Sequence, residues 1–119
     1  MAKSLCIIGL GYIGLPTACT FAANGVQVLG VDKNPSIITS LRSSRVHIQE
    51  PGLQEILDKA IMSGNLTVSE TVQPCDAYLI AVPTPFHADK SADMSFVKAA
   101  AESIRPHLKP GNLVILEST

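Results

Sequence analysis

The sequence predicts an α/β fold, a doubly wound parallel sheet of five strands in the order 3-2-1-4-5. Three observations lead there. The chain opens with a strand, a turn, a helix and a second strand. The turn carries three glycines spaced G-x-G-x-x-G. Apolar runs of strand length then alternate with helical stripes to the end of the 119 residues. A helix separates nearly every successive pair of strands, so the strands must run parallel.

The opening unit has to be distinguished from two other structures. Leu5 to Gly25 holds no charged residue, and Lys3 precedes it, which superficially matches an export signal or a membrane span. Gly9, Gly11, Gly14 and Pro16 argue against both, because they crowd the centre, where such a helix favours Leu or Ala. The pattern also changes halfway. Leu5 to Leu10 is a continuous apolar run, as in a strand buried on both faces. Leu15, Ala18, Cys19 and Ala22 then recur at helical spacing, and Val26, Val28, Leu29 and Val31 form a second strand. The whole is a βαβ unit.

In that unit each glycine has a task. Gly9 permits the tight turn out of the strand, Gly11 lets backbone approach a pyrophosphate, and Gly14 lets helix and strand lie close. The helix N-terminus offers free N–H groups and a partial positive charge to phosphates. Pro16 falls in the first turn, where its missing N–H is harmless. Asp32 ends the second strand, 18 residues after Gly14, at the distance where a carboxylate accepts bonds from adenosine ribose hydroxyls. A negative charge there repels a 2′-phosphate and favours NAD over NADP, with Lys33 working in the opposite direction. The context marks this as a Rossmann-type dinucleotide site; the alternative is a βαβ unit without a ligand.

Downstream, Asn34-Pro35 reads as a helix cap and first helical residue, with Ile37, Ile38 and Leu41 on one face. Pro51 opens the next helix, with a stripe of Leu53, Ile56, Leu57, Ala60 and Ile61, and Gly64 stops it. Leu66–Ser69 is a short strand, and Asp76–Val82 a buried one. The latter leaves the sheet at Val82-Pro83-Thr84-Pro85-Phe86, since two prolines cannot continue a central strand. This exit lies at the carboxyl edge, where open α/β sheets bind ligands, so Thr84 is a candidate cofactor contact. Asp93 can cap a helix from Met94 to about Leu108, with Val97, Ala100, Ala101, Ile104 and Leu108 inward. Leu113–Leu116 is the last strand, with Glu117, Ser118 and Thr119 at its carboxyl end.

Composition excludes several functions. Net charge is −1, which gives no electrostatic case for nucleic acid or an anionic membrane, and Trp is absent, which disfavours a base-stacking surface. Cys6, Cys19 and Cys75 are too few and too scattered for a disulfide framework and have no base beside them in the sequence; they read as buried, reduced thiols of a cytoplasmic protein. His47, His87 and His107 stand in separate segments without metal-ligand spacing, so no metal site is expected. Nothing in the 119 residues could hold and deprotonate a substrate alcohol, which the protein must do even when a dinucleotide carries the hydride. The chain is therefore expected to be one NAD-binding domain, 1–119, truncated from a longer enzyme. Apolar surface left open by truncation makes a homo-oligomer an expectation as well.

Six segments resemble, in order and spacing, the start of the UDP-glucose/GDP-mannose dehydrogenase family. They are Gly9-Leu-Gly-Tyr-Ile-Gly-Leu-Pro16, Gly30-Val-Asp-Lys-Asn34, Glu50-Pro-Gly-Leu53, Val82-Pro-Thr-Pro-Phe86, Asp93-Met-Ser-Phe-Val97 and Glu117-Ser-Thr119. The first and fourth look most like members acting on UDP-N-acetyl-D-mannosamine; UDP-N-acetylglucosamine members are close and UDP-glucose members less similar. The resemblance implies oxidation of a nucleotide-sugar 6-hydroxyl to a carboxylate by two NAD⁺, through a thiohemiacetal on a cysteine. That cysteine, its Lys, Asn and Asp helpers and the family's dimer-building helix belong to later parts of the family's sequence, so no catalytic residue is assigned here. The resemblance also places Tyr12 and Ile13 at the pyrophosphate turn and Asp32 and Lys33 at the adenosine ribose. Val82, Pro83 and Thr84 border the dinucleotide, and Glu117 and Thr119 lie on the nicotinamide side, where the family's Thr also positions water. Two other readings share the βαβ start: a β-hydroxyacid or 6-phosphogluconate-type dehydrogenase, and a stand-alone NAD-sensing module.

Overall fold

Why a sheet of such short strands holds together is clearest at its middle. In the computed structural model, which describes residues 3–84 and 94–117, β1 (Ser4–Ile8) lies between β2 (Gln27–Val31) and β4 (Ala77–Ile80), parallel to both. Leu5 stands beside Val28 and Ala77, and Ile8 beside Val31 and Ile80. β3 (Leu66–Ser69) adds outside β2 and β5 (Leu113–Leu116) outside β4, giving the order β3-β2-β1-β4-β5 that the sequence predicts.

The alternation of side chains along β1 builds two cores. Leu5 and Ile7 face α1 (Gly14–Ala23), α2 (Pro35–Arg42) and α3 (Leu53–Met62), and pack with Leu15, Ala18, Cys19, Ile38 and Leu57. Cys6 and Ile8 face the other way, with Val31, Tyr78 and Ile80, under Ala100 and Ile104 of α4 (Ser95–Ile104). No helix joins β3 to β4. Val72 from that connection packs into the second core, and the buried Tyr78 hydroxyl accepts a bond from the amide of Cys75 at 2.9 Å.

Element boundaries moved where local chemistry is stronger than apolarity. β1 ends at Ile8 although the apolar run continues to Leu10, because Gly9 has φ +98° and Leu10 turns into the core. Asn34 caps α2, its side-chain oxygen accepting from the amide of Ser36 at 2.9 Å with Pro35 at the first helical position. α3 starts at Leu53, after Pro51 and Gly52. α4 starts at Ser95, one residue later than predicted, and stops at Ile104; Arg105–His107 form a 3₁₀ turn around Pro106, which cannot extend the α-helical ladder. Its buried residues are Ala100 and Ile104, whereas Ala101 and Leu108, predicted inward, are exposed. The predicted cap Asp93, as well as Pro85, Phe86 and His87, lies outside the described residues. Among the described residues no helix is long and apolar enough to cross a membrane.

Candidate dinucleotide site

The carboxyl ends of β1, β2, β4 and β5 share one edge of the sheet, and a cleft of about 930 Å³ opens along it. That lies within the range of small-molecule clefts, roughly 300–1,000 Å³. Its floor is the turn from Gly9 to Ile13. One wall comes from Asp32, Lys33 and Asn34 after β2, the other from Val82, Pro83 and Thr84 after β4, with Glu117 beyond β5. Ten of the sequence-predicted site residues therefore meet in one cleft. Gly14 lies behind the floor and Thr119 outside the described residues.

The floor presents donors. Among the described residues no acceptor is bonded to the amides of Gly11, Tyr12, Ile13 or Gly14. The first turn of α1 carries neither an acidic residue nor a side-chain cap. Four orphan N–H groups at the positive end of a helix dipole, three of them on residues that line the cleft, suit an anion. The glycines divide the work. A Cβ on Gly9 would lie 2.7 Å from the carbonyl oxygen of Ala81, and one on Gly14 would overlap the carbonyl oxygen of Gly9. Both are required by packing. A Cβ on Gly11 meets nothing within 4 Å. Gly11 also borders the cleft, so a side chain there would occupy ligand space instead of protein.

The acid is fixed in place. Asp32 accepts from the amide of Leu10 at 3.0 Å through Oδ2 and from the amide of Asn34 at 3.0 Å through Oδ1. A carboxylate has about four acceptor positions, so two bonds orient it and leave capacity toward the cleft. Lys33 beside it is exposed, and Tyr12 in the turn is 69 % exposed and lines the cleft. These residues fit a dinucleotide: donors for a pyrophosphate and, one strand away, an anchored acceptor for ribose hydroxyls.

The remaining cleft residues were not singled out in the sequence. Phe96, Ala100, Ser103 and His107 line it from α4 and its 3₁₀ extension, and Glu70, Thr71 and Val72 from the β3–β4 connection. The spacing 96, 100, 103, 107 is one helical face, a signal open to sequence analysis but outweighed by the apolar stripe next to it. His47 lies elsewhere; both its ring nitrogens are buried without a partner among the described residues. Cys6 and Cys19 are buried and Cys75 half-buried, all unpaired. Burial pushes the Cys6 thiol up to about 12, with Cys75 nearby adding to it, and pushes Cys19 up to about 11; burial also raises Cys75. Thiols this hard to ionise are poor nucleophiles. Among the described residues no cluster of His, Cys, Asp or Glu could hold a metal.

Comparison with known proteins agrees with this geometry. Residues 3–119 match the model of the UDP-glucose/GDP-mannose dehydrogenase family, NAD binding domain. The UDP-N-acetyl-D-mannosamine dehydrogenase of Salmonella typhi is 51 % identical over 116 residues, which cover 98 % of this chain and 28 % of that protein. Among solved structures, a UDP-N-acetyl-mannosamine dehydrogenase from Staphylococcus aureus superposes with a TM-score of 0.95 at 50 % identity, over 98 % of this chain and 29 % of that one. A UDP-glucose dehydrogenase from Pyrobaculum islandicum gives 0.93 at 43 %, over 100 % of this chain and 29 % of that one. The chain thus spans less than a third of the length of these relatives. Matched by the family model over residues 3–119, it belongs to the UDP-glucose/GDP-mannose dehydrogenase family as an NAD-binding domain.

Proposed function

We propose that residues 1–119 form the NAD-binding part of a longer enzyme that oxidises the 6-hydroxyl of UDP-N-acetyl-D-mannosamine to a carboxylate with two NAD⁺. The observation that carries this is the set of unbonded amides from Gly11 to Gly14 next to the anchored carboxylate of Asp32, at a cleft of about 930 Å³. The choice of sugar is supported by the 51 % identity to a UDP-N-acetyl-D-mannosamine dehydrogenase. Bound NAD⁺ supplies the hydride acceptor. The chain's own groups hold it. The turn at Gly9, Gly11, Tyr12, Ile13 and Gly14 receives the pyrophosphate. Asp32 accepts from the adenosine ribose hydroxyls with Lys33 alongside. Val82, Pro83 and Thr84 border the dinucleotide and Glu117 its nicotinamide side, a side to which the family resemblance also assigns Thr119. Unpaired thiols suit the reducing cytoplasm.

Calorimetric titration tests this directly. NAD⁺ should bind saturably to the 119 residues and NADP⁺ more weakly, with no NADH formed on adding any UDP-sugar. Failure to bind NAD⁺ would remove the cofactor assignment, and NADH production by these residues alone would remove the partial-enzyme assignment. In a polypeptide that carries this domain at the full length of its relatives, UDP-N-acetyl-D-mannosamine should outperform UDP-glucose as substrate.

A further inference from the structure

The end of the cleft at β2 carries a charge that the glycine-turn motif does not include. Asp32 and Lys33 stand there at adjacent positions with opposite signs, so together they present no net charge to a 2′-phosphate. β3 changes that balance. The register of β2 with β3 ends on Val31 beside Ser69, and the amide of Asp32 donates to the carbonyl of Ser69 at 3.2 Å. Glu70 follows Ser69 directly, so it leaves the sheet beside Asp32, about one strand spacing of 4.8 Å away. Glu70 lines the same cleft as Asp32 and Lys33.

The backbone on both sides of Glu70 is held. Ser69 Oγ accepts from the amide of Thr71 at 3.1 Å, closing a turn around Glu70, and Val72 is buried in the second core. Glu70 itself is exposed, and among the described residues its carboxylate has neither an ion pair nor a hydrogen bond. The other titratable groups of the cleft lie elsewhere. His107 is on the α4 side, and Glu117 follows β5, three strands from β2, roughly 14 Å across the sheet. Lys33 is therefore the one permanent cation among the described cleft residues, with a carboxylate on either side of it in space.

We propose that Glu70 is a specificity-determining residue of the dinucleotide site, which excludes a 2′-phosphorylated coenzyme by offsetting Lys33. The inference rests on the NAD-binding reading above. A 2′-phosphate would replace a ribose hydroxyl that Asp32 accepts from, and would bring almost two negative charges to this end of the cleft. With Glu70 the three side chains carry a net charge of about −1 there, and without it about zero. NAD⁺ places only a neutral hydroxyl at that point, so Glu70 acts far more on NADP⁺. A doubly charged phosphate about 7 Å from one carboxylate in a water-like medium loses about five- to tenfold in affinity, and less as salt shortens the screening length.

Calorimetric titration with NAD⁺ and NADP⁺ at low ionic strength reads the ratio of the two affinities, with displacement of NAD⁺ by NADP⁺ giving it where NADP⁺ is too weak to titrate directly. Glu70→Gln keeps the shape and removes the charge, and should raise NADP⁺ affinity relative to NAD⁺ by about five- to tenfold. Glu70→Lys should raise it further, and Lys33→Gln should move the ratio the other way. The melting temperature of Glu70→Gln should match that of the unmodified protein, since the carboxylate has no bonds to lose. At about 0.5 M salt most of the difference between the two proteins should vanish. NAD⁺ binding with a ratio that neither Glu70→Gln nor Glu70→Lys moves overturns this inference alone. So does a shift that salt leaves unchanged. Absence of NAD⁺ binding by the unmodified protein overturns it together with the coenzyme assignment.

Discussion

The Oδ2 of Asp32 accepts the amide hydrogen of Leu10 at 3.0 Å, tying the end of β2 to the turn that leaves β1. One carboxylate therefore shapes the floor of the cleft and forms part of its wall. Asp32→Ala removes both functions. A part-buried hydrogen bond to a charged group is worth about 1.5–3 kcal/mol, so denaturation should show a loss at the lower end of that range. NAD⁺ affinity should fall by about tenfold or more, each 1.4 kcal/mol being a factor of ten. Asp32→Asn keeps an acceptor for Leu10 but loses the negative charge. It should recover most of the stability and narrow the preference for NAD⁺ over NADP⁺. Equal NAD⁺ and NADP⁺ binding by the unmodified protein would show that Asp32 does not discriminate.

The three glycines of the turn should separate stability from binding. Gly9→Ala places a methyl 2.7 Å from the Ala81 carbonyl oxygen at a backbone φ of +98°, and Gly14→Ala overlaps the Gly9 carbonyl. Strain and overpacking of this kind cost on the order of 1–3 kcal/mol each, more where backbone must shift. Both variants should melt lower or fail to accumulate. Gly11→Ala meets no protein atom, and its backbone is not left-handed. It should fold with near-native stability and bind NAD⁺ more weakly. Weak binding without a melting shift at Gly11, against a melting shift at Gly9 and Gly14, is the pattern to look for.

How much of this could be read from the sequence depended on how local the cause was. The βαβ unit, the Asn34-Pro35 helix start and the Leu66–Ser69 strand follow from residues within a few positions of one another, and the structure places them as expected. The strand order followed from the same elements and the chirality of parallel crossovers. What was not legible depends on packing between distant segments. The α4 face bearing Phe96, Ser103 and His107 borders the cleft because Ala100 and Ile104 dock on Ile80 and Tyr78, and sequence spacing alone ranked Ala101 and Leu108 as inward. The helix-free connection through Val72 was equally hidden, since an extended segment over a sheet has no periodic signature.

The cap of α2 gives a clean test of local chemistry. Asn34 Oδ1 accepts from Ser36 N, while its own amide donates to Asp32 Oδ1. Asn34→Ala should lower stability by about 1 kcal/mol, and Asn34→Ser should restore most of it. The second bond uses backbone, so the orientation of Asp32 should survive both changes and NAD⁺ affinity should move little. A large loss of binding in Asn34→Ser would mean that the side chain itself reaches the ligand.

The buried thiols predict how stability responds to alkali. Cys6 and Cys19 start from an ordinary value of 9.0 and are raised in the folded protein to about 12 and about 11, burial being the main cause for both. A folded-state value above the unfolded one means that the native chain keeps its proton where the unfolded chain has lost it. The contribution is complete below pH 9.0 and is lost as pH rises through the raised values. Between those limits each thiol should remove up to about 1.4 kcal/mol of stability per pH unit, the linkage value for one proton. Urea denaturation at a series of pH values across this window should show the decline, and Cys6→Ala should make it shallower by one thiol's share. Comparing the slopes of the two proteins isolates the share of Cys6. Identical slopes would mean that Cys6 ionises as readily in the folded chain as in the unfolded one, which its position between β2 and β4 does not allow.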